Sequence, residues 1–106
     1  MDPGMTDLGR FAEPSLYILV SLSSGPKHGY AIMTDVAAIS GSPMGPGTLY
    51  GALDRLVRRG LIEPLEPEDR RRPYRLTELG ARTLETQLAS LEGFVRTGLA
   101  RLDERG

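Results

Sequence analysis

Cysteine and tryptophan are both absent from this 106-residue sequence. Without thiols the chain has no disulfide, no thiolate zinc finger and no thiol nucleophile, and such a composition suits a reducing compartment. The single histidine, His28, has no second ligand-type cluster near it in sequence, so we expect no metal site and no cofactor. No serine stands with this histidine and an acid in a recognisable motif. We therefore expect no catalytic residues and no enzymatic activity.

Long hydrophobic runs are missing as well. The longest, at residues 16–20, is far shorter than the ~20 residues of a membrane span, and no basic leader precedes it. A soluble, cytoplasmic protein without membrane contact is the expectation. Aromatic residues make up only 6% of the chain, against 40% hydrophobic residues in total. This composition is enough for one small compact domain, whose limited core needs extra support.

Positive charge is not abundant overall but is concentrated in one segment. The net charge is −1, which by itself argues against a general polyanion binder. Residues 55–75, however, contain seven arginines against four acids, a local excess of three. An arginine run is often only a solvated loop. Here it follows a helix with an outward-facing basic side, and this position favours an interpretation as a DNA-contacting segment.

Hydrophobic periodicity predicts three helices in the first half of the chain. Pro14 suits the first turn of a helix that ends at the turn formed by residues 24–26. A second helix opens at Gly29, and a third begins near Pro46, after a glycine-rich connection at residues 40–45. The apolar positions of the second helix are Ile32, Met33, Val36, Ala37 and Ile39, and those of the third are Leu49, Leu53, Leu56 and Val57.

The third helix leads directly into a predicted basic hairpin. Its outward side carries small and positively charged residues: Gly47, Gly51, Arg55 and Arg58. Gly60 then provides the left-handed residue that ends a helix. Two short strands are predicted at residues 61–65 and 74–76, and the tip between them carries Arg70, Arg71 and Arg72. A probe helix followed by a basic hairpin is typical of a DNA-reading domain.

The last predicted helix indicates a dimer. Thr77 can cap it, and apolar or small residues then recur three and four positions apart, at Ala81, Leu84, Leu88, Leu91, Val95, Gly98 and Leu102. From Glu78 to Asp103 it would be about 39 Å long, which is more than a small domain can cover. A second copy would cover it. The predicted interface comprises Leu84, Leu88, Leu91, Phe94, Val95, Leu99, Leu102 and, from the first helix, Leu16. The alternative is that the helix folds back onto its own domain.

Several motifs together resemble those of a known family. They are HGY at residues 28–30, GTLYGALDRL at 47–56, GLI at 60–62 and YRLTELG at 74–80. In this order they are similar to the PadR family of bacterial transcriptional regulators, over residues 14 to about 102. The resemblance implies a mostly α fold with a small β-hairpin, namely a winged helix-turn-helix, plus a long C-terminal dimerisation helix. With one such helix, the chain is similar to the short branch of the family.

The resemblance also implies a function and a domain organisation. A homodimer would repress transcription by occupying a palindromic double-stranded DNA operator. We expect a flexible arm at residues 1–11, the DNA-binding domain at residues 12–77 and the dimerisation helix at residues 78–106. The expected DNA-binding residues are His28, Tyr30, Gly47, Thr48, Tyr50, Arg55, Arg70, Arg71 and Arg72.

Different parts of this set have different expected contacts. Thr48 and Tyr50 lie near the start of the third helix, where hydroxyl groups and free backbone amides favour phosphate contact. Gly47 permits close approach to the groove but offers no side-chain hydrogen bond, so part of the specificity would rest on DNA shape. The arginines of the hairpin tip suit the minor groove. For His28, a helix-end or phosphate-adjacent role follows from the resemblance.

Two other functions are alternatives to that of a DNA-binding repressor. The near-neutral net charge and Gly51 are compatible with a winged-helix adaptor that binds proteins and not DNA. A small-molecule effector, of unknown identity, is the third possibility, with Met33 and Phe94 lining a cavity between the first and last helices of the dimer. For both residues core packing is the simpler role. The absent tryptophan removes support for a multidrug pocket of the kind some relatives use.

Overall fold

The computed structural model describes residues 14–105, so the arm predicted at residues 1–11 lies outside the described part of the chain. The described elements are helix α1 (Pro14–Leu22), strand β1 (Lys27–His28), helix α2 (Gly29–Ser40), helix α3 (Pro46–Arg58), strands β2 (Ile62–Pro64) and β3 (Pro73–Leu76), and helix α4 (Glu78–Arg105). Their order of three helices, a hairpin and a long helix confirms the predicted fold class.

Local capping groups set the ends of the first three helices. Pro14 occupies the first position of α1, where no backbone N–H is needed. At the start of α2, Nδ1 of His28 accepts a hydrogen bond from the Ala31 N–H at 3.4 Å. Gly41 ends that helix in the left-handed conformation, with φ 75°. Pro46 opens α3. These ends agree with the positions predicted from the sequence.

The sheet has one strand more than the predicted hairpin. Strand β3 lies in the centre, antiparallel to both β1 and β2. Strand β1 is only two residues long, too short to show the alternation from which a strand is predicted. The strand predicted at residues 61–65 is also shorter, since its pairing with β3 covers Ile62–Pro64. Pro73 is the first residue of β3, a position that proline tolerates in a sheet.

One hydrophobic core joins the three N-terminal helices, the sheet and the beginning of α4. Its buried members are Ile18, Leu19, Leu22, Ile32, Val36, Leu49, Ala52, Leu53, Leu56, Ile62 and Leu84. The prediction that Ile39 lies on the buried face of α2 is wrong, because this side chain is 44% exposed. Ile39 shares the face of Ile32 and Val36, but the last turn of the helix carries it beyond the core.

Leu84, predicted to lie in a dimer interface, lies in the core of its own chain. Its side chain is only 5% exposed and packs in the core of its own chain. The first turns of α4 still lie over the domain, so burial within the chain is available to Leu84. Leu16, also predicted in the interface, is partly buried and packs against the same core.

Helix α4 extends well beyond the rest of the fold. Its 28 residues span about 42 Å at 1.5 Å per residue. The described structure measures 56 × 31 × 20 Å as a result. Within α4 only Gly80 and Leu84 are buried. None of the helices between residues 14 and 105 combines the length and hydrophobicity of a transmembrane span.

Replacing Leu53 by alanine should lower the free energy of unfolding by about 2–5 kcal/mol, because the removed methyl groups leave a cavity in a fully buried site. Leu79 is the matched control, since it is 47% exposed and its replacement by alanine should cost no more than about 0.5 kcal/mol. Urea denaturation of the two variants measures both values. Equal losses would contradict the placement of the core.

Candidate nucleic-acid interface

The two sides of α3 differ sharply in burial. Leu49, Leu53 and Leu56 are turned into the core and are at most 2% exposed. The exposed positions of the first turns are Gly47, Thr48 and Tyr50, and Arg55 follows on the next turn. We call these four residues the α3 outer face. The opposition of the two sides confirms the predicted orientation of the helix, and it leaves the outer face open to a ligand.

The amino end of α3 has free backbone donors. Its N-cap residue, Gly45, makes no side-chain capping hydrogen bond. The first-turn N–H groups of Gly47 and Thr48 therefore point outward without a side-chain acceptor, and the helix dipole adds positive potential there. An oxygen of a phosphate group is a suitable acceptor for such groups.

The hairpin between β2 and β3 ends in a tight turn. The backbone groups of Glu68 and Arg71 exchange two hydrogen bonds, of 2.7 and 2.8 Å. Between them, Asp69 and Arg70 both have positive φ, 49° and 66°. Positive φ at both central positions is the signature of a type I′ turn, which favours asparagine and glycine. Arginine in this conformation costs about 1 kcal/mol relative to glycine.

The three arginines of the tip have different surroundings. Arg72 donates a hydrogen bond to the Leu65 carbonyl at 2.9 Å and so helps to hold the hairpin closed. A terminal nitrogen of Arg71 lies 3.3 Å from Nε2 of His28. Arg70 makes no hydrogen bond or ion pair with any part of the chain that the structure describes. The charge of Arg70 is thus the one most available to a ligand.

Strand β1 brings His28 to the base of the wing. His28 is paired with Pro73, the first residue of β3. Because Nδ1 of His28 accepts the hydrogen bond from Ala31, the proton of the neutral ring lies on Nε2. In that tautomer Nε2 and the Arg71 nitrogen 3.3 Å away are both donors, whereas the other tautomer would let Nε2 accept from Arg71 and leave the Ala31 N–H without this acceptor. An oxygen acceptor such as a phosphate would satisfy both donors at once.

Tyr50 connects α3 to the start of α2. A Cβ atom built on Gly29 would overlap the Tyr50 hydroxyl and would lie 3.0 Å from the ring carbon that bears it. The phenol therefore rests on the Gly29 backbone, while the side chain as a whole stays 49% exposed. Tyr30, on the first turn of α2, is 72% exposed.

A third tyrosine, Tyr74, is partly buried beneath this surface. Burial raises the pKa of the Tyr74 phenol above its usual value, and the negative charge of Asp54 acts in the same direction. Arg72 has the opposite effect on this pKa. Tyr74 is therefore a neutral hydrogen-bond donor at physiological pH. The adjacent carboxylate of Asp54 limits the positive potential of the surface beside α3.

Most residues of the α3 outer face and of the hairpin tip could be named from the sequence, but the contacts between these segments could not. His28 and Arg71 are close only because β1 pairs with β3, and two residues are too few to predict that pairing. The roles of Gly29 and Tyr74 were missed. The HGY motif was the available signal for Gly29, but nothing local indicates that an aromatic ring packs on it.

The arrangement of three helices with a basic hairpin defines a winged helix, and comparison with known proteins agrees. The family model described as the transcriptional regulator PadR-like family matches residues 18–86. The chain belongs to this family. The description of the family is that of transcriptional regulators, a non-enzymatic class of protein.

Individual proteins show the same similarity. An uncharacterized 37.1 kDa protein in transposon TN4556 of Streptomyces fradiae is 43% identical over 82 residues, covering 77% of this chain but only 24% of that protein. The present chain thus spans about a quarter of that relative. The structure of H. salinarum RosR is 31% identical, with a TM-score of 0.70 over 84% of this chain and 82% of that one.

Two clostridial structures are also similar. A transcriptional regulator from Clostridium thermocellum is 26% identical, with a TM-score of 0.69 over 79% of this chain and 84% of that one. A PadR family regulator from Clostridium difficile has a TM-score of 0.71 at 23% identity, over 81% of this chain and 94% of that one. At that identity it supports the fold alone.

Replacing Arg70 by glycine should raise the free energy of unfolding by up to about 1 kcal/mol, because glycine adopts positive φ without strain. Arg72 is the matched control. Its replacement by glycine removes the hydrogen bond to Leu65 and should lower stability by about 1 kcal/mol. Thermal unfolding of both variants would check the signs, and a destabilised Arg70→Gly protein would contradict the turn assignment.

Proposed function

We propose that the protein acts in the cytoplasm as a homodimeric repressor on a two-fold symmetric DNA operator. The observation that carries this proposal is the apolar stripe on the far half of α4. Its residues are Leu88, Leu91, Phe94, Val95, Leu99 and Leu102, each at least 36% exposed. An apolar row of this extent is unusual on the surface of a monomer.

A second copy of the chain is the partner that fits the stripe. Leu88, Leu91, Val95 and Leu102, with Gly98 between the last two, recur three and four positions apart, which is the spacing of helices that pair along their length. Phe94 and Leu99 lie beside this seam. Phe94, Leu99 and Leu102 are each at least 60% exposed, so the end of the stripe farthest from the DNA-binding domain is the part most available for burial between subunits. Leu16 of α1 is partly buried in its own chain and would lie at the margin of this interface.

Replacing both Val95 and Leu102 by glutamate should convert the dimer to a monomer, because two negative charges would enter the apolar stripe, one near its middle and one at its end. Sedimentation velocity at micromolar concentration measures the mass, and circular dichroism checks that the helices remain. Ala100→Glu is the control, since this residue lies on the opposite side of α4 and should leave the dimer intact. A wild-type protein that sediments as a monomer would overturn the proposal.

On DNA, the α3 outer face would enter the major groove and the wing would lie along the neighbouring minor groove. Thr48, Tyr50 and the free amides of α3 are placed to contact phosphates. His28 and Arg71 form a pair of donors suited to a shared phosphate oxygen, and Tyr30 is exposed on the adjacent helix turn. Arg55 would reach the backbone or a base edge.

The hairpin tip supplies the remaining positive charge. Arg70 has the most accessible guanidinium, so we assign it the deepest minor-groove contact. Arg72 could contact DNA in two ways. It could release the Leu65 carbonyl, or it could keep that hydrogen bond and contact the DNA with its remaining N–H groups. An adaptor function would have no use for this concentration of donors, so family membership and the tip together favour DNA.

Replacing Arg70, Arg71 and Arg72 by alanine should weaken operator binding at least about tenfold and should flatten the salt dependence by about one unit of log–log slope per lost phosphate contact. The matched control replaces Arg82, Arg96 and Arg101 of α4, which changes the net charge equally. Fluorescence anisotropy over a range of salt concentrations gives both quantities. Equal losses in the two triple variants would contradict a specific role for the wing.

Selection of duplexes from a random DNA library with the purified protein tests the proposed function as a whole. A homodimer should enrich a motif with two-fold symmetry, with half-sites separated by about one helical turn or a multiple of it. Enrichment of an asymmetric motif, or of none, would contradict it. Repression would then be tested by placing the motif over a promoter and measuring transcription with and without protein.

The proposed function includes no small-molecule effector. Met33 packs against the core of its own chain. We therefore propose a packing role for Met33 and not a role in lining a ligand cavity. Phe94 belongs to the exposed stripe. We therefore propose a dimerisation role for Phe94 and assign no small molecule.

A further inference from the structure

Four residues join the wing to α4, and we call them the wing–helix junction: Gly60, Leu61, Thr77 and Gly80. The Thr77 N–H donates to the Leu61 carbonyl at 3.1 Å, and the Thr77 hydroxyl donates to the Gly60 carbonyl at 2.7 Å. The Gly80 N–H in turn donates to the Thr77 hydroxyl oxygen at 2.9 Å. Thr77 thus caps α4, as predicted, and also ties it to the segment that follows α3.

Gly80 brings the helix into direct contact with that segment. It is buried, and a Cβ atom built on it would overlap the Leu61 carbonyl oxygen, lie 2.9 Å from the carbonyl carbon and lie 3.0 Å from a methyl group of Leu76. The obstructing atoms at Leu61 are backbone atoms. They cannot move aside without breaking the hydrogen bond to Thr77, so only glycine fits with the helix in this position.

The same segment is bonded to α3. The Gly60 N–H donates to the Val57 carbonyl at 2.9 Å, and the Leu61 N–H donates to the Leu56 carbonyl at 3.0 Å. Gly60 has φ 75°, a conformation that glycine adopts without strain. A continuous series of short contacts therefore runs from the last turn of α3 to the first turn of α4. It fixes the direction of the long helix relative to the helix proposed to read DNA.

The length of α4 magnifies any change at this point. From Gly80 to Arg105, the end of the helix, is about 38 Å, so a rotation of roughly 10° at Gly80 moves the far end by about 6–7 Å. The proposed dimer contact lies on that far half. In a dimer the displacement would alter the separation of the two α3 helices by an amount comparable with one or two base-pair steps.

We propose that Gly80 is a positioning residue that sets the half-site spacing the dimer accepts. This inference rests on the proposed homodimer. In the proposed complex Gly80 does not touch DNA. It acts by allowing α4 to lie against the Leu61 carbonyl, and Thr77 holds it there.

The test uses duplexes that carry two identical half-sites at centre-to-centre distances varied one base pair at a time, together with a duplex that carries a single half-site. Wild type should bind best at one spacing. Gly80→Ala should bind the wild-type spacing at least about tenfold more weakly, through loss of simultaneous engagement, while its affinity for the single half-site stays within about twofold. Its optimum should move to another spacing.

Gly93→Ala is the matched control. This glycine lies in the same helix, a Cβ atom built on it meets no atom within 4 Å, and it faces away from the apolar stripe. The substitution makes the same chemical change without touching the junction, so the optimum spacing should be retained. If Gly80→Ala does not fold, Thr77→Val provides the decisive measurement, because it removes both side-chain hydrogen bonds of the junction. Thr77→Ser retains the hydroxyl and should restore the wild-type optimum.

The outcomes separate the two proposals. A folded Gly80→Ala dimer, or a Thr77→Val dimer where the former does not fold, that keeps the wild-type spacing optimum would overturn the role of the junction and leave the dimeric repressor standing. A wild-type protein with no preferred spacing would overturn the proposed function itself. An equal loss of affinity on the single half-site would show that Gly80 supports the DNA-binding domain and not its spacing.

Discussion

Burial of one side of α3 is the constraint on which the rest of the structure depends. Leu49, Leu53 and Leu56 are almost completely removed from solvent, and each contributes about 1.5–3 kcal/mol by that burial. Rotating the helix by a quarter turn would expose these leucines and carry Arg55 toward the core. The hydrophobic effect therefore fixes which residues of α3 can meet DNA, although none of the buried leucines touches it.

The two ends of helix α4 differ in burial, whereas in α3 the two sides of the helix differ. Its beginning is anchored by Leu84 in the core and by Gly80 against the Leu61 carbonyl, whereas its far half carries an uncovered apolar stripe. The two parts of this helix therefore make different kinds of contact. One holds the DNA-binding domain, and the other is open to a second subunit. In the proposed dimer the rigidity of α4 would transmit subunit geometry to the position of α3.

The wing combines charge with local strain. Arg70 is held at positive φ between Asp69 and Arg71, where glycine would be more stable. Backbone strain of this kind persists when the surrounding structure enforces it, and it is frequent at functional sites. Here it places the one tip guanidinium without a partner in the described structure at the end of the hairpin. Arg72 and the Leu65 carbonyl help to keep the turn closed.

Features with a local cause were predictable from the sequence. Pro14, Gly41 and Pro46 mark helix ends, because proline and glycine have strong conformational preferences. The spacing of the leucines predicted the buried side of α3. Contacts between distant segments were not predictable. Strand β1, the packing of Tyr50 on Gly29 and that of Gly80 on Leu61 depend on tertiary structure and leave no periodic signal. The candidate DNA-binding residues of α3 and the hairpin tip could be named from the sequence, but the proximity of His28 and Arg71 required the fold.

Hydroxyl-radical footprinting of the protein on a selected operator tests the central claim most directly, namely that two subunits present two α3 helices and two wings with two-fold symmetry. A symmetric dimer should give protected minor-groove positions arranged symmetrically about the operator centre, with the outermost pair lost when Arg70, Arg71 and Arg72 are replaced by alanine. A single protected patch without symmetry, or outer protection unchanged by those substitutions, would contradict it.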